Sequence, residues 1–225
     1  MTTQVFNVRP VGNCLQLVPV PTPSTCTEQS EICIQQLQNF LNAVRPVDNG
    51  GCISSLPDFD VIVVAGDLDV EDVFLNPALD YRTQFILTGF NTTALTSPAN
   101  AIFNLSQVGI IVRPIVSDPI VLTITDPELT CIINSIPSTF NRCQNSNSFS
   151  AQQIEAAATA LISTTSSVTI ASENTGNLSD LFIRAVKPGI IIATSPGTAP
   201  YEFVAAFSTC FVSSIRPTPT SPPIP

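Results

Sequence analysis

The densest group of side chains able to do chemistry is Asp67-Leu-Asp69-Val-Glu71-Asp72, with Asp58, Asp60 and Asp80 nearby in sequence. Alternate residues of an extended segment share a face, so Asp67, Asp69 and Glu71 would lie together, and oxygen ligands spaced in this way can hold calcium. The EF-hand pattern is not met, because Asp72 stands where the turn glycine belongs and no glutamate closes the loop. The expectation is a solvated acidic loop or a partner for arginines. Paired carboxylates can also run hydrolysis without histidine, so a carboxylate-dependent hydrolase is the weakest alternative reading. Other common catalytic devices are missing. The chain has no histidine, which removes the usual general base, the Ser-His and Cys-His nucleophiles and the commonest metal ligand. It has no Walker A or dinucleotide glycine fingerprint, and only nine glycines. The sequence reads as a non-enzyme, with no catalytic residues, no cofactor and no metal expected.

Seven cysteines are spread along the chain at 14, 26, 33, 52, 131, 143 and 210, and no C-x-x-C pair occurs. Without histidine the common zinc patterns fail. An odd number leaves one cysteine over, as a buried free thiol, a reactive thiol or a bond to another chain. Cys14 lies in a proline-flanked extended stretch rather than a core element, which makes it the candidate for an interchain disulfide.

Charged residues make up only 11% of the chain and hydrophobic ones 44%, against roughly 25% charged in an ordinary soluble domain. Much of the surface must therefore be Ser, Thr, Asn, Gln and Pro, which repels weakly and suits a protein covered by copies of itself. The net charge of −9, with one lysine and no basic cluster, excludes nucleic acid as a partner. No apolar run approaches the roughly 20 residues that span a bilayer, so membrane insertion is not expected. Residues 1–10 lack a basic segment followed by an apolar one, so no secretory leader is expected in this sequence. Asn91-Thr-Thr, Asn104-Leu-Ser and Asn177-Leu-Ser fit the glycosylation sequon, at a frequency that chance gives a chain this rich in Asn, Ser and Thr.

The elements read as an α+β, β-dominated fold, a sheet or sandwich with about three helices. Residues 1–24 form an extended arm, 25–214 the body and 215–225 a Pro-rich tail. The arm holds two strand patterns, Val5 to Val8 and Cys14 to Val18. They could pair with each other or add to another sheet through Val5, Phe6, Val8, Leu15, Leu17 and Val18. Pro19, Pro21 and Pro23 then hold the chain extended. Thr25 and Glu28 have capping-box spacing before a helix whose apolar face is Cys33, Leu37, Phe40, Leu41 and Val44. Strands are expected at 58–65 and 83–90, and at 107–116 and 120–125 as a hairpin turning through Ser117-Asp118-Pro119. Asp126-Pro127-Glu128 starts a second helix with Asp126 as its cap. Ser150 and Gln153 have capping-box spacing for a third helix over 151–162, after a polar loop holding Cys143. Strands follow at 168–171, 181–186, 190–194 and 201–212.

Two patterns cut across these elements. Five of the eight basic residues stand directly before proline: Arg9, Arg45, Arg113, Lys187 and Arg216. Such residues are expected to protrude from strand ends or edges, where they oppose uncontrolled edge pairing or meet acids on a neighbour. There is also a suggestion of duplication, in halves of about 25–125 and 126–214. Gln35-Gln36-Leu37 resembles Gln152-Gln153-Ile154, and Asp72-Val-Phe-Leu75 resembles Asp180-Leu-Phe-Ile183. In general character the chain is similar to subunits of bacterial spore-surface layers and appendages and of other extracellular filaments. The likeness is one of composition, carries no motif and transfers no residues. The favoured reading is a structural subunit that assembles with itself into an extracellular or cell- or spore-surface filament, fibre or coat, by addition of its arm. A monomeric surface binding module, an adhesin or carbohydrate binder, is the alternative.

Overall fold

The computed structural model describes residues 6–11, 14–19, 26–54, 60–65, 70–75, 79–91, 99–114, 124–162, 166–172 and 176–218. The fold is α+β and rich in strands, as the hydrophobic patterning implies. Three helices are α1 (Gln29–Ala43), α2 (Asp126–Asn134) and α3 (Ser146–Thr159). The expected apolar face of α1 is fully inside, with Cys33, Leu37, Phe40, Leu41 and Val44 all at 2% exposure or less.

The helix starts differ from the expected ones. Glu28 is the N-cap of α1 and makes no side-chain cap bond, while Thr25 lies outside the described residues. Thr125, not Asp126, caps α2 and closes a box with Glu128. The third helix begins at Ser146, because Asn145 and Ser148 satisfy each other's backbone N–H groups at 2.9 and 3.1 Å. That box acts one turn earlier than the Ser150–Gln153 spacing.

The arm forms a hairpin of β1 (Phe6–Val11) and β2 (Cys14–Pro19). The body carries one antiparallel ten-stranded sheet. Its first five strands are β3 (Asp60–Ala65), β4 (Val70–Leu75), β5 (Ile86–Asn91), β6 (Ala99–Asn104) and β7 (Ile110–Pro114). The other five are β8 (Val168–Ser172), β9 (Gly176–Lys187), β10 (Ile190–Thr194), β11 (Phe203–Ser208) and β12 (Val212–Pro217). The spatial order is β12-β8-β9-β10-β11-β7-β3-β4-β5-β6.

Several expectations change here. The 107–116 segment does not serve as the first arm of a local hairpin. Instead β7 pairs with β3 and β11, and Ile124 bridges Tyr201; residues 115–123 lie outside the described residues. The 201–212 run is two strands, broken at a turn closed by Phe211 N–H on the Ser208 carbonyl. Part of the 83–90 run is a 3-10 turn over Tyr81–Thr83. Ile215, Arg216 and Pro217 of the expected tail belong to β12 and pair with β8.

The centre of the sheet is covered on both faces, which is why Ile190–Thr194 is a continuous apolar run. Ile190 and Ile192 face the cluster built on α1 and α2, whereas Ile191 and Ala193 face the cluster built on α3, β8 and β12. β9 serves two neighbours. Its first half pairs with β8 and its second half with β10, and Asp180 at φ 55° lies at the register shift within the half that pairs with β8.

Three disulfides, Cys26–Cys143, Cys33–Cys210 and Cys52–Cys131, tie the body. They indicate an oxidising, extracellular-type environment. Among the described residues no helix is long and apolar enough to cross a membrane.

Candidate assembly surfaces

The arm is the first surface. The register places Phe6 opposite Pro19, Val8 opposite Leu17 and Pro10 opposite Leu15. These three pairs hold alternate positions of the register, and all six residues are apolar. The intervening pairs, Asn7–Val18, Arg9–Gln16 and Val11–Cys14, are mixed. Of the expected arm residues, Phe6, Val8, Leu15, Leu17 and Val18 are thus on strands, and Val5 lies outside the described residues. Among the described residues the hairpin pairs with no strand of the body, and a lone two-stranded hairpin is marginal in water. The other six cysteines are joined to one another, so Cys14, at the turn end of β2, is the odd cysteine of the chain.

The two ends of the ten-stranded sheet are the second surface. Among the described residues nothing pairs with the outer side of β6 or of β12. β6 reads Ala-Asn-Ala-Ile-Phe-Asn, without the charge or proline that blunts natural edges. β12 is exposed at Ser213, Ser214, Arg216 and Pro217.

The basic residues before proline do not all protrude as expected. Arg45 and Arg113 are buried, at 7% and 2% exposure. The Arg45 guanidinium donates to the carbonyls of Leu79 and of Asn42 in the last turn of α1. Lys187 donates to Ser138 Oγ at 2.6 Å, and Arg216 is exposed. Arg9 lies on β1.

Apolar side chains are also exposed at separate places. Phe85 and Ile86 are 66% and 44% exposed and Phe149 of α3 is 51% exposed, with Val47 at 54% and Ile162 at 39%. Phe85 stands at the rim of a cleft of about 290 Å³ beside α1, lined also by Ile34, Glu31, Gln38 and Arg82. Arg82 is held by Asp80 at 2.7 Å, and its guanidinium bonds keep the exposed Asp80 carboxyl well below the usual carboxylate range.

Several polar groups elsewhere are engaged in holding the fold together. Glu155 receives Arg142 Nη2 at 2.6 and 2.8 Å, Gly189 N–H at 2.6 Å and Thr209 Oγ1 at 3.2 Å. These bonds fasten α3 to the turns before β10 and after β11. Glu128 is occupied by Ser54 and Thr125. Arg184 lies over the Tyr201 ring at 4.7 Å, and Tyr201 donates to Asp126 at 2.9 Å; burial and then this bond raise the Tyr201 pKa.

Of the acidic run, Asp60 is on β3 and Glu71 and Asp72 are on β4, while Asp58, Asp67 and Asp69 lie outside the described residues. Among the described residues no group of acids, cysteines or histidines is arranged to hold a metal ion. The sequence reading missed the β6 edge and the apolar trio Phe85, Ile86 and Phe149. The alternation in Ala-Asn-Ala-Ile-Phe-Asn was a signal for the first. Position in a helix or strand carries no exposure by itself, so the trio had none. Comparison of this chain with protein-family models, with curated proteins and with solved structures gives no match.

Proposed function

We propose that this chain is a non-enzymatic structural subunit that associates with copies of itself into an extracellular or surface filament, fibre or coat. The observation that carries this reading is that, among the described residues, the sheet has two unpaired ends and the arm hairpin pairs with no strand of the body. Edge strands and lone hairpins both gain ladder hydrogen bonds and burial when another chain covers them. A surface with few charges lowers the repulsion between copies. In this reading the arm docks its apolar residues on a neighbour, and Cys14 closes an interchain disulfide that holds an otherwise weak contact.

The test is deletion of residues 1–24, followed by light scattering and negative-stain microscopy. The full chain is expected to form large ordered assemblies near neutral pH. The truncated chain is expected to keep its circular dichroism spectrum and lose those assemblies, and a truncated chain that assembles normally would remove the arm from the mechanism. A monomeric binding module is the second reading, favoured by the cleft beside Phe85. It predicts a full-length monomer at high concentration.

A further inference from the structure

The strand order contains the same unit twice. β3 to β7 lie in the order β7-β3-β4-β5-β6, and β8 to β12 lie in the order β12-β8-β9-β10-β11. In each set the first strand lies between the second and the last. The registers of β5–β6 and β10–β11 agree position for position. Ile86 opposes Asn104 and Leu87 opposes Phe103, just as Ile190 opposes Ser208 and Ile191 opposes Phe207.

The turns agree as well. Leu105 N–H bonds the Phe85 carbonyl and Thr209 N–H bonds the Gly189 carbonyl, both at 3.0 Å. Gln107 N–H on the Asn104 carbonyl repeats as Phe211 N–H on the Ser208 carbonyl. β7 and β12 both end in Arg-Pro, at Arg113-Pro114 and Arg216-Pro217. Ahead of the strands, Cys26 and Cys143 are 117 positions apart, and the same step carries the start of α1 at Gln29 to the start of α3 at Ser146. It also carries Ile32 to Phe149 and Cys33 to Ser150. The first unit therefore runs from Cys26 through β7 and the second from Cys143 through β12, with α2 between them.

Inside the chain the first unit docks on the second in three ways. β7 pairs antiparallel with β11. Ile32 of α1, fully buried, lies against Gly189 and the start of β10, where a β-carbon on Gly189 would approach its Cγ2 to 2.9 Å. Cys33 is bonded to Cys210 in the β11–β12 turn.

The counterparts of all three contacts are open. β12 corresponds to β7 and β6 to β11, and these are the two ends of the sheet. Phe149 corresponds to Ile32, while Phe85 and Ile86 correspond to Gly189 and Ile190. Whereas Ile32 and Ile190 are fully buried, Phe149, Phe85 and Ile86 are three of the five large apolar side chains exposed among the described residues. Ser150 and Ser106 stand where Cys33 and Cys210 stand, and neither is buried. Five apolar or edge positions left open are those that the internal seam buries, and one kind of partner explains them all.

We infer that the second unit of one copy docks on the first unit of the next copy as the first unit docks on the second within the chain. β12 of one copy extends the sheet at β6 of its neighbour, and Phe149 of α3 covers Phe85 and Ile86 beside the cleft. The pairing that follows from the β7–β11 register sets Ser213 opposite Phe103, Ile215 opposite Ala101 and Pro217 opposite Ala99. Pro217 does not block it, because Pro114 sits in the same place opposite Phe203 in the internal seam. The contact joins two different surfaces, so it repeats from copy to copy until a ring closes or a filament grows. This inference rests on the self-assembly reading and gives it a specific interface in the body, beside the arm.

The experiment mixes two full-length single variants, Ser106→Cys and Ser150→Cys, each in a Cys14→Ser background, under mild oxidation. A disulfide joining position 106 of one chain to position 150 of another is expected, seen as a doubled-mass band without reductant and located by peptide mass mapping. A companion variant, Phe149→Glu, is expected to raise the concentration needed for assembly at least about tenfold with an unchanged circular dichroism spectrum. Assemblies that form with no 106–150 link and are indifferent to Phe149→Glu would overturn this interface and leave self-assembly standing. Protein that remains monomeric at high concentration would overturn both.

Discussion

Arg113 and Arg216 hold the same place in two corresponding strands, each directly before the closing proline, yet Arg113 is 2% exposed and Arg216 is open to solvent. The difference is the neighbour. β11 lies beside β7, whereas no described strand lies beside the outer edge of β12. Arg113→Ala is therefore expected to destabilise the monomer by about 2–3 kcal/mol, through the lost packing of a large, fully buried side chain. Arg216→Ala is expected to change it by less than about 0.5 kcal/mol. Urea midpoints of the two variants check this, and equal losses would mean that β12 is covered in the monomer.

Gly189 has φ 84° and faces Ile32 across the seam between the two units. A β-carbon there meets both a left-handed backbone and a side chain at 2.9 Å. Gly189→Ala is expected to cost about 1–3 kcal/mol. Combining it with Ile32→Leu should recover part of the loss, since leucine is unbranched at Cβ and lacks the Cγ2 methyl group at the contact. A double-mutant cycle that shows no coupling between the two positions would contradict the packing.

The Cys33–Cys210 disulfide spans 177 positions and holds α1 on the second unit. Replacing both cysteines by alanine is expected to lower stability by about 2–4 kcal/mol, chiefly by loosening the unfolded chain's constraint. Hydrogen exchange should rise first in α1 and in the β11–β12 turn. A peptide map showing Cys33 joined to any other cysteine would refute the assigned pairing.

Glu128 is buried, which pushes its carboxyl pKa up, but four bonds from Ser54 and Thr125 outweigh burial and bring it below its ordinary 4.5. A lowered folded-state value means that the stabilisation is complete above pH 4.5 and is lost as pH falls through the folded value. Stability measured from about pH 6 to about pH 2 should fall on the acid side for the native chain, and less steeply for Glu128→Gln. Parallel curves for the two proteins would show that Glu128 does not contribute.

How far the sequence alone reaches is clear from particular segments. The α1 face was legible because Cys33, Leu37, Phe40, Leu41 and Val44 recur at helical spacing, and β10 because five residues with four apolar side chains leave no polar face. The arm's two strands were legible from alternation and flanking prolines. These are local properties, and spacing along the chain encodes them directly.

The tertiary structure decided which strand lies beside which, and with it every feature of the candidate interface. Arg45 and Arg113 are buried and Arg216 is not, although all three share the same local sequence. Neighbouring chain, not the dipeptide, supplies the acceptors and the apolar cover. The six paired cysteines were visible as cysteines, but their partners lie 79 to 177 positions away, beyond any local signal. The likeness of Gln35-Gln36-Leu37 to Gln152-Gln153-Ile154 was visible in the sequence. Only the sheet order shows where it leads, because pairing between distant strands is set by the packing of whole faces and leaves its trace in no single segment.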